Sequence, residues 1–591
     1  MIVPMKKAYI IFQAKDKLPA LKTLRKLGLI HIEHIKVPQG QDITTITEEL
    51  NLINRAIDIL EEAAKTGVSG DAYIEKSDFL TVARHVVGVN RKIEQLKEFS
   101  LNLSSKIETW KDWGDFDPKQ IIALREKGIS IKLFHIPEKD IRNFCQDVIV
   151  KTFFRKKGMV NCAIIYRGDI SFSLQELELP KSSLGEMQQR IARDAEAIQI
   201  LQGDLLKHVN YLLQFRKIKR SMQIGLEFQQ AIQGMAEYQD LVCLKGFLPF
   251  DQESFLLNQA KARGWGIQIT DPLEDERIPT LVRNPRWVSI ISPIFKVIEV
   301  VPGYRELDIS LWFLIFFAIF FGMLIGDAGY GLVYFLITLI IQLIWGKKIV
   351  DKTPFKLSYL LSSCAIIWGI LSATFFGQQW LAAYFKPLIP ALQQEKSVQA
   401  ICFFIGTVHL SIAHLWRLIL RFPHVVFLSE LGWIAIIWSA FFFAKFLILE
   451  DSLPLFLKWL LAGGSILILF FSNPNKNIFK TVGAGLTALL LNLMNNFTDL
   501  VSYIRIFAVG LATVAVADAF NTMAQASGFG SFYSGLISSV ILLIGHTLNI
   551  ILGPLSVLVH GVRLNVLEFC MHLDVKWSGF KYEPFKEEAA Y

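Results

Sequence analysis

The chain has 591 residues, of which 52% are hydrophobic and 19% charged, and a formal net charge of +8. Only 13 of the 53 acidic residues lie beyond Asp308, which excludes a single soluble globule and gives a soluble half and a membrane half joined near residue 305. A basic excess can signal nucleic acid, but much of it here sits in short loops between apolar runs, so membrane topology accounts for it and no nucleic-acid partner is expected.

The opening stretch "MIVPMKKAYIIFQAKDK" lacks the apolar core and small-residue cleavage site of a signal peptide, so the N-terminal half is expected in the cytosol. Residues 6–35 read as strand, helix, strand. Helical runs follow with heptad a/d spacing: Leu50, Ile53, Ile57, Leu60 and Ala64, then Val82, Val86, Val89, Ile93, Leu96, Leu103, Ile107 and Trp110. The longest seam is Leu184, Met187, Ile191, Ile198, Leu201, Leu205, Leu212 and Phe215, with Asp194 and His208 in its two polar slots. Between these helices, residues 129–173 turn strand-like, and "LVCLKGFLPFDQESFLLNQAKARGWGIQITD" again reads strand, helix, strand. The expected arrangement of the cytosolic domain, 1–304, is a dumbbell. Its proximal α/β lobe comprises 1–40 and 238–300, its long antiparallel coiled coil 42–112 and 180–232, and its distal lobe 113–179. Such coiled coils usually serve as scaffolding. GxxxxGK[ST] is absent, so the chain has no P-loop of its own, and nothing in this half reads as catalytic. The six cysteines (Cys145, Cys162, Cys243, Cys364, Cys402, Cys570) are scattered without a CxxC pair, so neither a disulfide framework nor a zinc site is expected.

In the membrane half, 305–591, hydrophobic runs fall near 309–326, 328–346, 357–376, 398–418, 425–447, 454–472, 478–523 and 532–571. The glycines of "GDAGYG", between the first two, superficially resemble a dinucleotide fingerprint, but apolar helix flanks them on both sides and no strand precedes them. Loops alternate in basic charge: "GKKIVDKTPFK" has four lysines, 377–397 two, "RLILRFPH" two arginines, "LEDSLP" none, "SNPNKNIFK" two lysines and "AQASGFGS" none. The positive-inside rule then fits eight spans with both termini in the cytosol. The last two runs are about twice the length a ~30 Å hydrocarbon core needs. A steeply tilted pair is expected, with "NLMNNFTD" (492–499) the alternative site of a break.

Polar residues on these two runs form stripes. In the seventh, Asn495, Thr498, Ser502 and Arg505 recur at three and four residues, and the face continues as Ala508, Ala512, Ala515 and Ala519. In the eighth, Asn549, Gly553, Ser556, His560 and Arg563 form a second single face. A charged arginine at a bilayer midplane costs about 2.5–3.5 kcal/mol on insertion scales and cannot shed its proton. The chain offers little to offset that cost. Asp499 and Asp518 lie off the stripe by more than a turn, Asp327 sits at the outer turn and Glu568 near the inner surface. The partner of Arg505 is therefore expected to be a carboxylate on another subunit, present part of the time, as in the stator of a rotary ion motor, with snorkelling or pairing to one of these internal carboxylates as the alternative. Two rival readings remain. A self-contained secondary transporter needs an internal carboxylate partner for Arg505 and an inverted repeat. A membrane-anchored scaffold leaves both stripes without a role.

Three stretches carry a resemblance: "PGYRELDISLWFLIFFAIFFGMLIGDAGYGLVY" (302–334), "SYIRIFAVGLA" (502–512) and "GHTLNIILGPLSVLVHGVRLNVLEF" (545–569), closing with "WSGFKYEPF" (577–585). They resemble the membrane stator subunit of V/A-type rotary ATPases, called subunit I in bacteria and archaea and subunit a in vacuolar enzymes. The short luminal loops and overall length are closer to a prokaryotic member, in a plasma membrane. The resemblance implies a non-catalytic subunit without cofactor that conducts H⁺ or Na⁺ between half-channels. Its implied partners are the proteolipid rotor ring (c/K subunits), the peripheral stalk E/G subunits, the central-stalk C/d subunit and the lipid bilayer. It implies that Arg505 is the essential arginine facing the ring carboxylate, that Arg563 is its helper, and that Asp327 belongs to the outer half-channel, with His560 and Glu568 around the second arginine. Asn495, Thr498, Asp499, Ser502, Asn549 and Ser556 complete the half-channel candidates. Vacuolar members carry a glutamate ten residues before the second arginine and a histidine eight after the first. Here those positions are Gly553 and Thr513. His409 and His414, on the fourth span, read as structural rather than as ion relays.

Overall fold

The computed structural model describes residues 1–66, 78–143, 148–156, 158–168, 176–378, 386–474 and 477–587; Cys145 falls outside them. The chain divides into two compact units, one of Met1–Phe12, Pro19–Glu33 and Lys245–Tyr591, the other of Gln13–Leu18 and His34–Leu244.

The second unit is built on long helices. Gln41–Thr66 packs on Phe79–Trp110 and on Leu212–Gln233, and Phe79–Trp110 also runs along Leu184–His208. Ile53, Ile57, Leu60, Val82, Val86, Val89, Ile93, Leu205 and Phe215 are buried together in the seam, because a/d spacing stacks them on one helix face. Ser183 and Glu186 close a capping box at the start of Leu184–His208. The long seam from Leu184 to Phe215 is not one helix, since a 3₁₀ turn at Val209–Tyr211 divides it. At one polar slot Asp194 is buried and pairs with Arg190 at 3.1 Å. The same unit holds a four-stranded antiparallel sheet of β3 (Ile129–Pro137), β4 (Ile149–Lys156), β5 (Met159–Arg167) and β6 (Glu176–Leu177), in the order β4-β5-β3-β6. Alternate residues Phe134, Ile136, Cys162, Ile164 and Tyr166 fill its core.

Strand β1 (Met5–Gln13) pairs antiparallel with β9 (Gly266–Thr270), and β2 (His31–Glu33) with β8 (Leu241–Pro249), within a five-stranded sheet of order β2-β8-β1-β9 in which β7 (Ala236–Tyr238) also pairs with β8. The C-terminal tail is tied to this sheet region. An isolated bridge joins Thr280 to the tail (Thr280 N to Phe580 O 2.8 Å, Tyr582 N to Thr280 O 3.0 Å), and Phe585 N bonds Ile30 O at 2.8 Å. Glu306 receives the amides of Gly303, Lys576 and Trp577. The C-terminal tail and the N-terminal sheet thus share backbone hydrogen bonds.

All eight hydrophobic runs are helical: Ser310–Ile325, Ala328–Trp345, Thr353–Ser372, Glu395–Arg421, Phe427–Leu449, Leu457–Phe471, Ile478–Ser527 and Phe532–Leu573. Among the described residues, six are long and apolar enough to cross a bilayer, while the first and sixth have 16 and 15 residues. The first is buried nearly all round, with Phe313, Phe317 and Phe320 in the main core, which explains its lack of a polar face. The seventh and eighth, at 50 and 42 residues, are the two long ones.

The seventh run passes unbroken through 492–499, in place of the break considered there. Its irregularity falls at Ser502–Tyr503, where Tyr503 N bonds Leu500 O at 3.2 Å, Arg505 N bonds Ser502 O at 3.2 Å and Ile506 N bonds Tyr503 O at 3.1 Å. These three-residue rings tighten the turn just before the arginine. The eighth run changes pitch. After Phe532–Ser556 it is π-helical over Val557–Gly561 and Leu564–Phe569. Pro554 lies just before this change, and its missing N–H frees the Ile550 carbonyl. Tyr334 Oη donates to that carbonyl at 3.1 Å, so this acceptor is not left bare in the apolar interior.

Candidate functional site

Arg505 is three-quarters buried, and its Nε donates to the Ser502 carbonyl at 3.0 Å. The tight turn at 502–503 aims that carbonyl at the guanidinium. Its Nη2 donates to Glu568 Oε1 at 2.6 Å. The sequence pointed first to a partner on another subunit; the internal pairing that it left as the alternative is present in the chain. The reason is the π-helical register. Five residues along an α-helix turn by about 500°, which puts Glu568 on a different face from Arg563, whereas a π-helix closes each ring at five residues and stacks them. Glu568 is brought back over Arg563 and toward the seventh helix.

One carboxylate is then shared by two cations. Arg563 Nε lies 3.6 Å from the same Oε1, with its side chain half exposed. Glu568 Oε2 is buried and finds no hydrogen-bond partner among the described residues. Two guanidiniums against one carboxylate leave a net charge of +1 in an apolar layer, so the pairing lowers the cost of Arg505 without cancelling it.

Most of the stripe of the seventh helix is exposed, although Asn495 and Ala515 also border cavities within the chain. Asn495, Thr498, Ala508, Ala512, Ala515 and Ala519 are all exposed, and Ser502 is half-buried with its hydroxyl donated to Thr498 O at 2.9 Å. A face of small residues bordering a cation is open to a helix that is not part of this chain. The eighth-helix stripe is more enclosed: Asn549 and Gly553 are buried, Ser556 and His560 half-buried, Arg563 exposed. His560 Nδ1 finds no hydrogen-bond partner among the described residues.

Asp327 is fully buried and caps the second helix. Its Oδ1 accepts from Gly329 N (2.7 Å) and Tyr330 N (3.1 Å), and its Oδ2 from Gly377 N (3.1 Å). Three backbone amides hold it, as a helix N-terminus holds an anion. Beside it, Tyr330 Oη meets His546 Nδ1 at 2.7 Å and accepts from Asn549 Nδ2 at 3.0 Å, while Asn549 also donates to the Thr513 carbonyl at 2.9 Å. Asn549 thus joins the second, seventh and eighth helices. At Gly553 a Cβ would sit 2.8 Å from Tyr334 Oη, so Tyr334 occupies the space that a glutamate there would need. A cavity of about 480 Å³ on this side is lined by Gln378, Gly510, Val514, Ala515 and Asp518.

On the other side of Arg505 lies a buried polar network. His414 Nδ1 is 2.7 Å from Glu430 Oε2, His414 Nε2 is 2.9 Å from His572 Nδ1, and His572 Nε2 is 3.2 Å from Asp499 Oδ2. Arg421 and Arg417 both approach Glu430 Oε1, Arg417 at 3.4 Å. These groups and Asn492, Asn495 and Asn496 line a cavity of about 280 Å³. The sequence reading selected Asp499 and Asn495 from this group but missed Glu430, His572, Arg417 and Arg421. A signal was present: His414, Arg417 and Arg421 recur at three and four residues on one helix face. His409 is different. It is fully buried, bonded to Tyr503 Oη at 2.9 Å and stacked between Phe316 and Phe569, with ring centroids at 3.8 and 4.2 Å, which is a packing role.

No family model matches the chain. It is 30% identical to the V-type ATP synthase subunit I of Borreliella burgdorferi, over 99% of this chain and the whole of that protein. It is 28% identical to V-type ATP synthase subunit I 1 of Treponema pallidum over the same shares. Among solved structures, the cytoplasmic N-terminal domain of subunit I, homolog of subunit a, of V-ATPase aligns with 45% of this chain at 14% identity and a TM-score of 0.21, too low to argue from. Identity at that level, end to end, together with helices suited to a membrane and a mixed α/β N-terminal region, places the chain in one family: it belongs to the V/A-type ATP synthase subunit I family, the homologues of V-ATPase subunit a.

Proposed function

We propose that this chain is the membrane stator of a V/A-type ATP synthase, spanning the bilayer eight times with both termini in the cytosol. Arg505 faces the ion-binding carboxylate of a separate proteolipid ring. The single observation that carries this reading is the residual positive charge of the Arg505–Glu568–Arg563 cluster, set beside an outward face of small residues. A ring carboxylate arriving at that face is attracted in its ionised form, gives up its ion and passes on, and the fixed cation blocks leakage between the two half-channels. Glu568 keeps Arg505 oriented and partly compensated between visits. Asp327 and the Tyr330–His546–Asn549 group flank the outer path, and the cavity at Asp499 the inner one. The cytosolic helices hold the subunit to peripheral stalks against rotor torque. The driving force is about 2.3 kcal/mol per charge per 100 mV.

The internal partner Glu568 meets one of the two requirements of a self-contained transporter. Membership of the subunit I family, with an open helix face beside the arginine, favours the stator. Substituting Arg505 with Lys separates the readings. A lysine cannot hold both the Ser502 carbonyl and Glu568 in the guanidinium's planar fork, so the stator reading expects an assembled complex whose ATP-driven ion uptake is lost. Uptake at the wild-type rate in that variant would falsify it.

A further inference from the structure

The helical unit of the N-terminal half holds a side-chain cluster that the reading above does not use. We infer that His85, Asp204 and His208 form a binding site for one divalent transition-metal ion, of the Zn²⁺ class, which staples two long helices of that unit together. No step of the stator reading enters this inference.

Asp204 and His208 lie four residues apart on one face of Leu184–His208, and His85 meets them from Phe79–Trp110. One ligand atom from each of the three lies within 4.8 Å of the other two. Asp204 orders both rings. Its Oδ2 is 2.8 Å from His85 Nε2, and its backbone carbonyl is 2.9 Å from His208 Nδ1. A carbonyl oxygen only accepts, so His208 carries its proton on Nδ1 and presents a lone pair at Nε2. Metal-binding imidazoles are held in this way, the second ring N–H given to a backbone carbonyl or a carboxylate. The two rings stand 5.2 Å apart, and His208 is stacked on Tyr211 at 5.9 Å, which limits its rotation. On binding, His85 exchanges its Nε2 proton through solvent for one on Nδ1, and the ion takes the place of that proton between Nε2 and Oδ2. Ligand atoms of a tetrahedral site with bonds of about 2.0–2.1 Å stand about 3.3 Å apart, so the 2.8 Å pair opens slightly and any wider pair closes.

Two imidazoles and a carboxylate suit Zn²⁺, whereas Mg²⁺ and Ca²⁺ take oxygen on every side. Three protein ligands leave a further position to water, and the half-exposed His85 side chain gives an ion entry from solvent. His85 and Asp204 are 119 residues apart, so an ion held between them fixes the register of the two helices. An ordinary surface ion pair accounts for His85 and Asp204. It gives no reason for a second imidazole, His208, in a seam whose neighbouring positions Leu205, Tyr211 and Phe215 are buried and apolar. No thiolate takes part, which is why the cysteine spacing pointed away from zinc.

The test uses the full-length chain in detergent, without an affinity tag and stripped of metal by a chelator. Zn²⁺ alone is the probe, with Co²⁺ as its coloured substitute. After desalting, one equivalent of Zn²⁺ should remain per chain. Co²⁺ should give visible bands of nitrogen–oxygen coordination without the near-ultraviolet band of a thiolate ligand. His85→Ala and Asp204→Asn should each weaken Zn²⁺ binding at least about a hundredfold, since each removes a ligand and not merely its support. His424→Ala, at an exposed histidine elsewhere, should leave binding unchanged. Zn²⁺ should also slow amide exchange in both helices around His85 and Asp204, an effect absent in His85→Ala. Because the His85 side chain is half exposed, that variant should melt as the metal-free wild type does; should Asp204→Asn unfold, the decision rests on His85→Ala. Failure to retain Zn²⁺ overturns the site. Retention that His85→Ala does not weaken shows adventitious surface binding only, and overturns it equally. Neither result bears on Arg505, whose own variant tests the stator reading separately.

Discussion

Replacing Glu568 with Gln isolates what the shared carboxylate does. On the proposed stator reading, a ring carboxylate docking on Arg505 meets a guanidinium already bonded to Glu568 Oε1 at 2.6 Å. Two carboxylates flanking one guanidinium stand about 7 Å apart, and at an effective dielectric of about 20 their repulsion is about 2.4 kcal/mol. Glutamine keeps the size and an acceptor oxygen but removes that repulsion, and the residual charge of the cluster rises from one to two. The visiting carboxylate is then held more tightly by up to about 2.4 kcal/mol, which slows its release by up to about fifty-fold. The assay is coupled ATP hydrolysis and ion uptake in proteoliposomes, read together. Both rates should fall by the same factor, within that ceiling, and added salt should recover little because the site is largely buried. Rates equal to wild type would refute the idea that Glu568 tunes the grip of Arg505. Loss of uptake with fast hydrolysis would show that Glu568 seals a leak instead.

Three further outcomes follow from the geometry. Ala512→Trp enlarges an exposed residue on the open face, so the subunit alone should melt within about 0.5 kcal/mol of wild type while co-purification of the proteolipid ring falls sharply. Gly510→Ala would bring a Cβ to 2.7 Å from the Met323 carbonyl, forcing the first and seventh helices apart at about 1–3 kcal/mol, measurable as a lower thermal midpoint in detergent. Glu306 is held below the ordinary carboxylate range: burial alone would raise it, but the amides of Gly303 and Lys576 and the amide and hydroxyl of Ser578 outweigh that. Because the folded value is the depressed one, this stability is complete above the unfolded value of about 4.5 and is lost as pH falls through the folded value. Protease cutting of the C-terminal tail should therefore rise in acid, and Glu306→Ala should show the same cutting at pH 7.

Much of this was readable in advance where a periodic pattern met a uniform environment. The eight apolar runs became eight helices, six of them long enough to cross a bilayer, because a helix satisfies its own backbone within one segment. The stripe from Asn495 to Ala519 stayed on one face because the seventh helix keeps its period through all but one turn. Legibility failed where the period changed. Glu568 reads in the sequence as near the inner surface, and the π-helical stretch that carries it back over Arg563 toward Arg505 is not visible in a 3.6-residue period. Asp327 carried a resemblance to an ion-path position, and its local chemistry as an N-cap, equally visible in "GDAGYG", went unread. His414 and His572 lie 158 residues apart, and no local rule joins them; only the spacing of His414, Arg417 and Arg421 hinted at a charged partner, which proved to be Glu430.

The dependence of every step on a second, turning body can be examined directly. A cysteine at Ala512, exposed and two turns beyond Arg505, can be paired with one beside the carboxylate of a proteolipid-ring helix in the assembled complex. If that ring helix passes the Arg505 face, oxidation should cross-link the two subunits and stop ATP-driven ion uptake, and reduction should restore it. Absence of any cross-link from the 495–519 face, with efficient cross-links from another face of this chain, would contradict the stator assignment of Arg505.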